Sequence, residues 1–340
     1  MKSLKYVTKY AFIIFSVLFL ASAAHANVQA AKTLAVQKRL SKNPYWAKLL
    51  HYNGNKSEVI SQSFFISPKG MTDPAAELNA TIDAIYSDKK ENHPSCLFPL
   101  RTQWIKEQLM ITDAPEPKCG QLEEYLKYTH PKSISLFYIS PESFSFKNLF
   151  GHLGLRINRT EGASGDNTCC YVSNMETEAT PVTVYRSVTG GHSGSFSMTS
   201  FDDIAKMFNI EQDRDIWEYD LNLTQEQVNK VVLHVWELRN AETRHSLLSL
   251  NGAQAVERIL MVAVPDLAKS SILRDTPITM TKKLNEKGLI IGEAHHPRIS
   301  KQTAAPAPQK PAKPKVELAP VTTDDQPTYN VYVPIEDQSP

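Results

Sequence analysis

The residues best suited to chemistry stand in the stretch Phe150–Asn158, which reads FGHLGLRIN. Three aliphatic residues alternate with His152 and Arg156, so a β-strand would bury the aliphatics on one face and present an imidazole and a guanidinium on the other. An imidazole can serve as a general base, and the planar guanidinium suits a carboxylate or a phosphate. Gly151 and Gly154 would let another backbone or a substrate approach His152 closely. The same pattern also fits a half-buried strand histidine and an arginine in a surface ion pair.

Cys96 offers a different chemistry. It stands just before a helix that Pro99 is predicted to begin, and a thiol near a helix N-terminus ionises more readily. A cysteine followed later in the chain by a histidine is also the order of papain-like hydrolases. In this hypothesis Cys96 is the nucleophile, His152 is its base, and the reaction is acyl transfer or the hydrolysis of an amide or ester.

The N-terminus predicts that the protein is exported. Lysines precede an apolar run from Ala11 to Ala24, and the sequence Ala24-His25-Ala26 forms a small-x-small site. These are the parts of a secretory signal peptide, so we expect cleavage after Ala26. No later apolar stretch approaches the length of a transmembrane helix.

Export makes the four cysteines candidates for disulfides. Four cysteines allow three pairings, of which Cys96 with Cys119 is the most natural. Cys169 and Cys170 are neighbours that seldom bridge each other, so they are either free or paired elsewhere. A bridge at Cys96 would exclude it as a nucleophile. None of the four has the spacing of a zinc site, and we expect no metal and no cofactor.

Several segments carry the signals of regular structure that would position these residues. Asp73 followed by Pro74 predicts the start of a helix, and Thr224 forms a capping box with Gln227 ahead of the most amphipathic helix. A further helix is predicted from about Gly252 to Val262. Alternating or apolar runs predict strands at Ser61–Ser67, Ser133–Ile139 and Asp213–Leu221.

The region from Arg159 to Thr199 reads as mixed β-like segments interrupted by the glycine-rich turn Gly190–Gly194. The glycines of this turn could cradle an anion. The spacing of a phosphate-binding loop is absent, however, so the turn is interpreted as an ordinary loop.

Composition bears on the partner class and on the domain boundaries. The chain of 340 residues has a formal net charge of +1, which gives no electrostatic reason to expect nucleic acid as a partner. From Gln302 onward it is rich in Pro, Ala and Lys and cannot bury enough apolar surface to order itself. These features predict a signal peptide over residues 1–26, one globular domain over 27–300 and a disordered tail over 301–340.

Five short motifs follow one another between residues 45 and 260. They are Trp46–Tyr52, the run from Phe64-Phe65 through Asp73-Pro74 to Glu77-Leu78, Cys96-x-Phe98-Pro99-x-Arg101, Gly151-His152-x-x-Leu155-Arg156, and Trp217-Glu218-Tyr219. In this order they resemble the Lnb N-terminal periplasmic domain family. The resemblance implies an α+β fold, a circularly permuted papain-like domain akin to NlpC-type hydrolases and lecithin:retinol acyltransferase, with an antiparallel sheet packed on helices. It also implies a periplasmic location and a relation to proteins that acylate the amino terminus of bacterial lipoproteins.

The resemblance further implies a strand that bears the catalytic histidine, followed by a helix that opens with an Asn-Cys pair. His152 matches the histidine and Asn251-Gly252 matches the pair, so glycine stands where the family places its nucleophile. We therefore expect an exported domain that keeps the fold, has lost thiol catalysis and acts as a binding or accessory module. Its partner would be a lipid, a lipoprotein or an envelope protein, and Arg156 and Arg101 are its candidate binding residues.

Two alternatives remain open. The protein could still be an acyltransferase or hydrolase, with Cys96 or a shifted hydroxyl at Ser246 or Ser249 as nucleophile and His152 as base. It could instead be a purely structural envelope component whose Pro-rich tail reaches a partner.

Overall fold

The computed structural model describes residues 27–141, 151–160, 167–173, 180–246, 251–267 and 276–298, with the backbone alone for 167–173. The predicted signal peptide and C-terminal tail lie outside these residues. Contacts divide the chain into two compact units: residues up to Ser57 together with Phe65–Leu122, and Glu58–Phe64 together with the residues from Glu123 onward. The domain boundaries at residues 27 and 300 stay a prediction.

The smaller unit is mainly helical. Its elements are α1 (27–37), α2 (Pro44–Leu49), a hairpin of β1 (Tyr52–Asn53) and β2 (Lys56–Ser57), α3 (Pro74–Ile85), α4 (Pro94–Leu97) and α5 (Pro99–Leu109). The side chain of Asp73 accepts the backbone N–H groups of Ala75 and Ala76, and Pro74 occupies the first helical turn. The helix starts predicted at Pro74 and at Pro99 are thus confirmed.

A fully buried ion pair lies inside the smaller unit. Arg101 Nη1 donates to Glu77 Oε1 at 3.0 Å, and both side chains are 0% exposed. The same carboxylate accepts the backbone N–H groups of Ile66 and Ser67 at 3.0 and 2.8 Å. A ligand cannot reach a side chain without exposed surface. The expectation that Arg101 binds a ligand therefore gives way to a structural role, in which it balances a buried carboxylate.

Cys96 and Cys119 form a disulfide, as the sequence predicted. The two residues are 23 positions apart, and closing a loop of this length stabilises a fold by about 3 kcal/mol in the chain-entropy model. The bond also occupies the sulfur that the thiol-enzyme hypothesis needs as nucleophile. Cys96 is therefore excluded from that role.

The larger unit is built on one antiparallel sheet. Within the described residues its strands are β3 (Pro131–Ile139), β4 (His152–Arg159), β5 (Asn167–Ser173), β6 (His192–Ser200), β7 (Ile216–Leu221), β8 (Glu242–His245) and β9 (Ile290–His296), in the spatial order β8-β6-β5-β4-β3-β7-β9. Its helices are α6 (Gly120–Thr129), α7 (Pro181–Thr189), α8 (Phe201–Ile204), which runs on into a π-helix at Ala205–Glu211, α9 (Gln225–Leu238), α10 (Gly252–Leu260) and α11 (Pro277–Glu286). Helix α9 packs against β3, and α10 packs against β4 and β5. The α+β class with helices on an antiparallel sheet is confirmed.

Aliphatic and polar residues of β4 alternate between the two faces of the sheet, as the sequence predicts. Leu153, Leu155 and Ile157 are each at most 3% exposed, while the residues between them point to the other face. The strand predicted at Ser61–Ser67 is wrong, because Gln62–Phe64 form a 3₁₀ turn. The contact division between the two units also falls within this segment, after Phe64.

We predict that Gly151→Ala destabilises the larger unit by about 3 kcal/mol or more. Gly151 has φ +77°, and a Cβ there would lie 2.2 Å from the carbonyl oxygen of Ile139. Gly288 is the matched control, because it has φ +67° but a Cβ would meet none of the described residues within 4 Å. Gly288→Ala should therefore cost only the backbone strain, about 1 kcal/mol. Urea unfolding followed by circular dichroism measures both, and equal losses would contradict the close approach.

We also predict that His93 makes the smaller unit less stable in mild acid. His93 Nδ1 accepts the N–H of Ser95 at 3.1 Å, so Nε2 carries the proton that is donated to Ile85 O at 2.9 Å. Burial lowers the pKa of this neutral imidazole from its ordinary 6.5. The unfolded chain therefore binds the proton more readily, and stability is full above pH 6.5 and falls as the pH drops towards the folded pKa.

His93→Asn keeps a side-chain acceptor for the helix start and removes the titration. Hydrogen exchange of the α3 and α5 amides, corrected for intrinsic rates, should lose protection between about pH 7.5 and 5.5 in the native protein and lose less in the variant. An equal loss in both proteins would assign the acid sensitivity to another group.

Candidate functional site

Strand register brings the predicted site residues of β4 to one face of the sheet. His152 pairs with Ile139 of β3, and Arg156 pairs with Ser135. Glu218 of β7 pairs with Phe137, which lies between these two positions on β3. Directly paired residues share a face, so His152, Arg156 and Glu218 project from the same side. The sequence pattern predicts that His152 and Arg156 share a face, but it does not indicate that Glu218 joins them.

Arg156 is engaged in a network that crosses three strands. Its Nη1 donates to Glu218 Oε1 at 2.6 Å, and the other carboxylate oxygen, Oε2, lies 2.9 Å from His296 Nε2 in β9. The guanidinium carbon also lies 3.9 Å from the centre of the Phe201 ring. Of the two roles considered for Arg156, the structure provides the ion pair with a carboxylate. Glu218 and His296 are members of this cluster that the sequence did not reveal, because both reach it through long-range strand pairing.

His152 begins β4 and is half-buried. The centre of its ring lies 5.3 Å from that of Phe208, a residue of the π-helix. Gly151, just before it, has the positive φ and the close contact with Ile139 described above. The glycine therefore permits a close approach, as expected, and the neighbour that approaches is the backbone of β3.

A second carboxylate fixes the outer strands at the same end. Asp215 accepts hydrogen bonds from the backbone and the guanidinium of Arg298 and from His295 Nε2, at 2.7 to 3.2 Å. Burial acts to raise the pKa of Asp215, but these hydrogen bonds outweigh it and hold the pKa below its usual range. The ring of His295 stacks on Trp217 at 3.8 Å. This cluster ties β9 to β7.

The helix predicted at Gly252 begins at that residue. Asn251 Oδ1 accepts the N–H groups of Ala253 and Gln254, and Gln254 Oε1 accepts the N–H of Asn251, which completes a capping box. Gly252 is the first helical residue, and a Cβ built there meets no described residue within 4 Å. Packing against the described part of the chain therefore does not require glycine here. The described bonds of Asn251 lie within its own helix, so its arrangement with His152 stays a prediction.

No metal site and no membrane span emerge from the residues that the structure describes. Among them, no three His, Cys, Asp or Glu side chains are grouped as metal ligands. Within the same ranges, none of the helices has both the length and the apolar character needed to cross a bilayer. Ser246, one of the shifted hydroxyls, is buried and donates to Val188 O at 3.0 Å, whereas Ser249 lies outside the described residues.

Comparison with known families divides the chain in two. Residues 121–287 match the family model of the Lnb N-terminal periplasmic domain, and residues 38–108 match a separate model described as Domain of unknown function (DUF7843). Comparison with curated proteins and with solved structures gives no significant match. The first match contains His152, Arg156 and Asn251. The three motifs before residue 108 lie within the second match rather than the first.

We predict that Arg156 and Glu218 are energetically coupled. Arg156→Met and Glu218→Gln should each destabilise the larger unit by about 1–3 kcal/mol, because each removes the opposite charge closest to a partly buried group. The double variant should be more stable than the sum of the two losses implies, with a coupling energy of about 1–2 kcal/mol. Urea unfolding of the four proteins gives this energy. If the two single-variant losses sum to the loss of the double variant within about 0.5 kcal/mol, the two side chains are not coupled.

Proposed function

Residues 121–287 are an Lnb N-terminal periplasmic domain, and from this premise we propose that the protein is an envelope protein that retains a permuted papain-like fold without a thiol nucleophile. Its role is that of a binding or accessory module. The observation that carries the proposal is Gly252 at the capped start of α10. Glycine provides neither a nucleophile nor a metal ligand at this position.

The order of elements supports the permuted fold. The histidine strand, β4, comes first along the chain, and the helix with the capped N-terminus, α10, comes later and packs against β4. A cysteine at position 252 would lie in the first turn of α10, where the helix dipole favours a thiolate. The chain thus keeps the helix start that would activate a thiol and lacks the thiol itself.

The remaining cysteines give little support to a relocated thiol. Cys96 is oxidised in the disulfide with Cys119. Cys169 and Cys170 lie within strand β5 rather than in the first turn of a helix, which is where a helix dipole most favours a thiolate. Arg156, the candidate binding residue of the domain, is held by Glu218, and a ligand carboxylate or phosphate would have to compete with that carboxylate for it.

We predict that Gly252→Cys creates an activated thiol. In a Cys169→Ser, Cys170→Ser background, which leaves the disulfide intact, iodoacetamide should alkylate the introduced thiol with an apparent pKa below about 8.5, the ordinary value of cysteine. Adding His152→Ala should raise that apparent pKa. Intact-mass spectrometry after incubation with p-nitrophenyl butyrate should show a butyryl adduct on the introduced thiol and none with Gly252→Ser or with the native residue.

An ordinary pKa that is insensitive to His152 would contradict the proposed pairing of His152 with the start of α10. Hydrolysis of the ester by the native protein that disappears in His152→Ala would contradict the loss of catalysis. Circular dichroism establishes that each variant is folded before it is assayed.

A further inference from the structure

A basic pocket lies in the larger unit, away from the β4–β7 cluster. Its volume is about 330 Å³, and it is bordered by the turn between α7 and β6, by Arg186 of α7 and by Arg244 of β8; the other lining residues are Ile60, Gly190, Gly191, His192 and Ser193. Among the lining residues that the structure describes, none carries a carboxylate. Two guanidinium groups around a small open volume fit a divalent or monovalent oxyanion.

The turn that forms this pocket is built around Arg186. Gly190, with φ +81°, caps the C-terminus of α7, and the N–H of Gly191 donates to Arg186 O at 2.8 Å. Arg186 Nη2 in turn donates to Gly191 O at 3.2 Å, which holds the guanidinium against the turn. A Cβ at Gly191 would lie 3.0 Å from Arg186 Cβ, so the glycine allows this packing. Ser193 of β6 pairs with Arg244 of β8, so the Arg244 side chain lies on the same face of the sheet as Ser193, which also lines the pocket.

His192, which lines the pocket, contacts Ser187 in a pair that is not arranged for catalysis. Ser187 Oγ and His192 Nε2 are 3.2 Å apart and both residues are buried, which superficially resembles a serine–histidine pair. Ser187 donates its hydroxyl proton to Thr183 O at 2.7 Å, however, so it accepts the hydrogen bond from Nε2 of the imidazole. His192 therefore carries its proton on Nε2 and cannot deprotonate Ser187.

Helix α7 turns its apolar side chains outward. Thr183 and Ser187 are 0% exposed, whereas Val182, Tyr185 and Val188 are 64%, 69% and 43% exposed. These three residues are spaced i, i+3, i+6 and so form one stripe along the helix. An apolar stripe on a surface helix is unfavourable in water, and it marks a contact with another apolar phase.

The stripe and the pocket adjoin, because Arg186 lies one turn after Val182 on α7 and also lines the pocket. Apolar and tyrosine side chains beside basic residues are the composition of helices that lie in the bilayer interface. A free oxyanion would fill the pocket but would leave the stripe in water, and an apolar partner would cover the stripe but would make no use of the basic pocket. A phospholipid surface satisfies both at once.

We propose that α7 docks on an anionic phospholipid bilayer, with a headgroup phosphate between Arg186 and Arg244 and with Val182, Tyr185 and Val188 in the interface. This goes beyond the proposed function and does not depend on whether residue 252 carries a nucleophile. Phosphate oxygens accept hydrogen bonds from both guanidinium groups, and the pocket lies at the end of α7, where a headgroup would meet the helix.

Vesicle co-sedimentation of the chain from residue 27 onward tests the proposal. Vesicles of phosphatidylglycerol and phosphatidylethanolamine in a ratio of about 1:3 should bind the protein, and phosphatidylcholine vesicles should bind it less. Arg186→Gln and Arg244→Gln should each weaken binding about fivefold, the factor that corresponds to about 1 kcal/mol per basic residue at an anionic surface. Val182→Ser combined with Tyr185→Ser should weaken it to a similar degree. Raising the salt concentration should release the protein.

Helix α11 offers the matched control, because Ile278 is 64% exposed and the Lys282 side chain is 76% exposed. Ile278→Ser with Lys282→Gln should leave vesicle binding unchanged. Binding that falls equally in the α7 and α11 variants would overturn the proposal in favour of a non-specific charge effect. Failure to bind any vesicle, with inorganic phosphate bound only when both arginines are present, would overturn it in favour of a soluble anion.

Discussion

The pairing of β4 with β3, and of β3 with β7, is the constraint on which the candidate site depends. A shift of one residue would turn every side chain of β4 to the opposite face, burying His152 and Arg156 and exposing Leu155. The close contact of Gly151 with the carbonyl of Ile139 helps to set this register, because only glycine fits there with a positive φ. The buried aliphatic residues of β4 then fix the register from the other face. The polar cluster is thus a consequence of backbone pairing as much as of its own ion pairs.

Local signals in the sequence were sufficient for the helix starts and for the central strands. Asp73, Thr224 and Asn251 each place an acceptor before a helix, and all three side chains cap the helices that follow. Long-range partners were not accessible in the same way. Arg101 looked available for a ligand because nothing near it in sequence reveals its pairing with Glu77, which is 24 residues away. Glu218 and His296 likewise join Arg156 only after the strands pair.

Helix α7 shows why periodicity alone can fail. Its sequence, PVTVYRSVT, is rich in β-branched residues and reads as β-like. Thr180 and Pro181 nevertheless start a helix, and its polar residues Thr183 and Ser187 face inward. The usual rule that the apolar face is buried is reversed here, so the pattern pointed to the wrong element. The turn after this helix, which the sequence suggested only as an ordinary loop, borders the basic pocket.

The proposed loss of thiol catalysis rests on glycine at position 252, the first residue of α10. The most direct test of this account incubates the native protein with vesicles that contain a phospholipid carrying a radiolabelled acyl chain, together with a synthetic diacylated lipopeptide that has a free amino terminus. Counting the label in the lipopeptide measures acyl transfer. The account predicts no transfer above that of the His152→Ala variant. Transfer by the native protein that is lost in His152→Ala would show that the domain is still an acyltransferase and that Gly252 is not the position of a lost nucleophile.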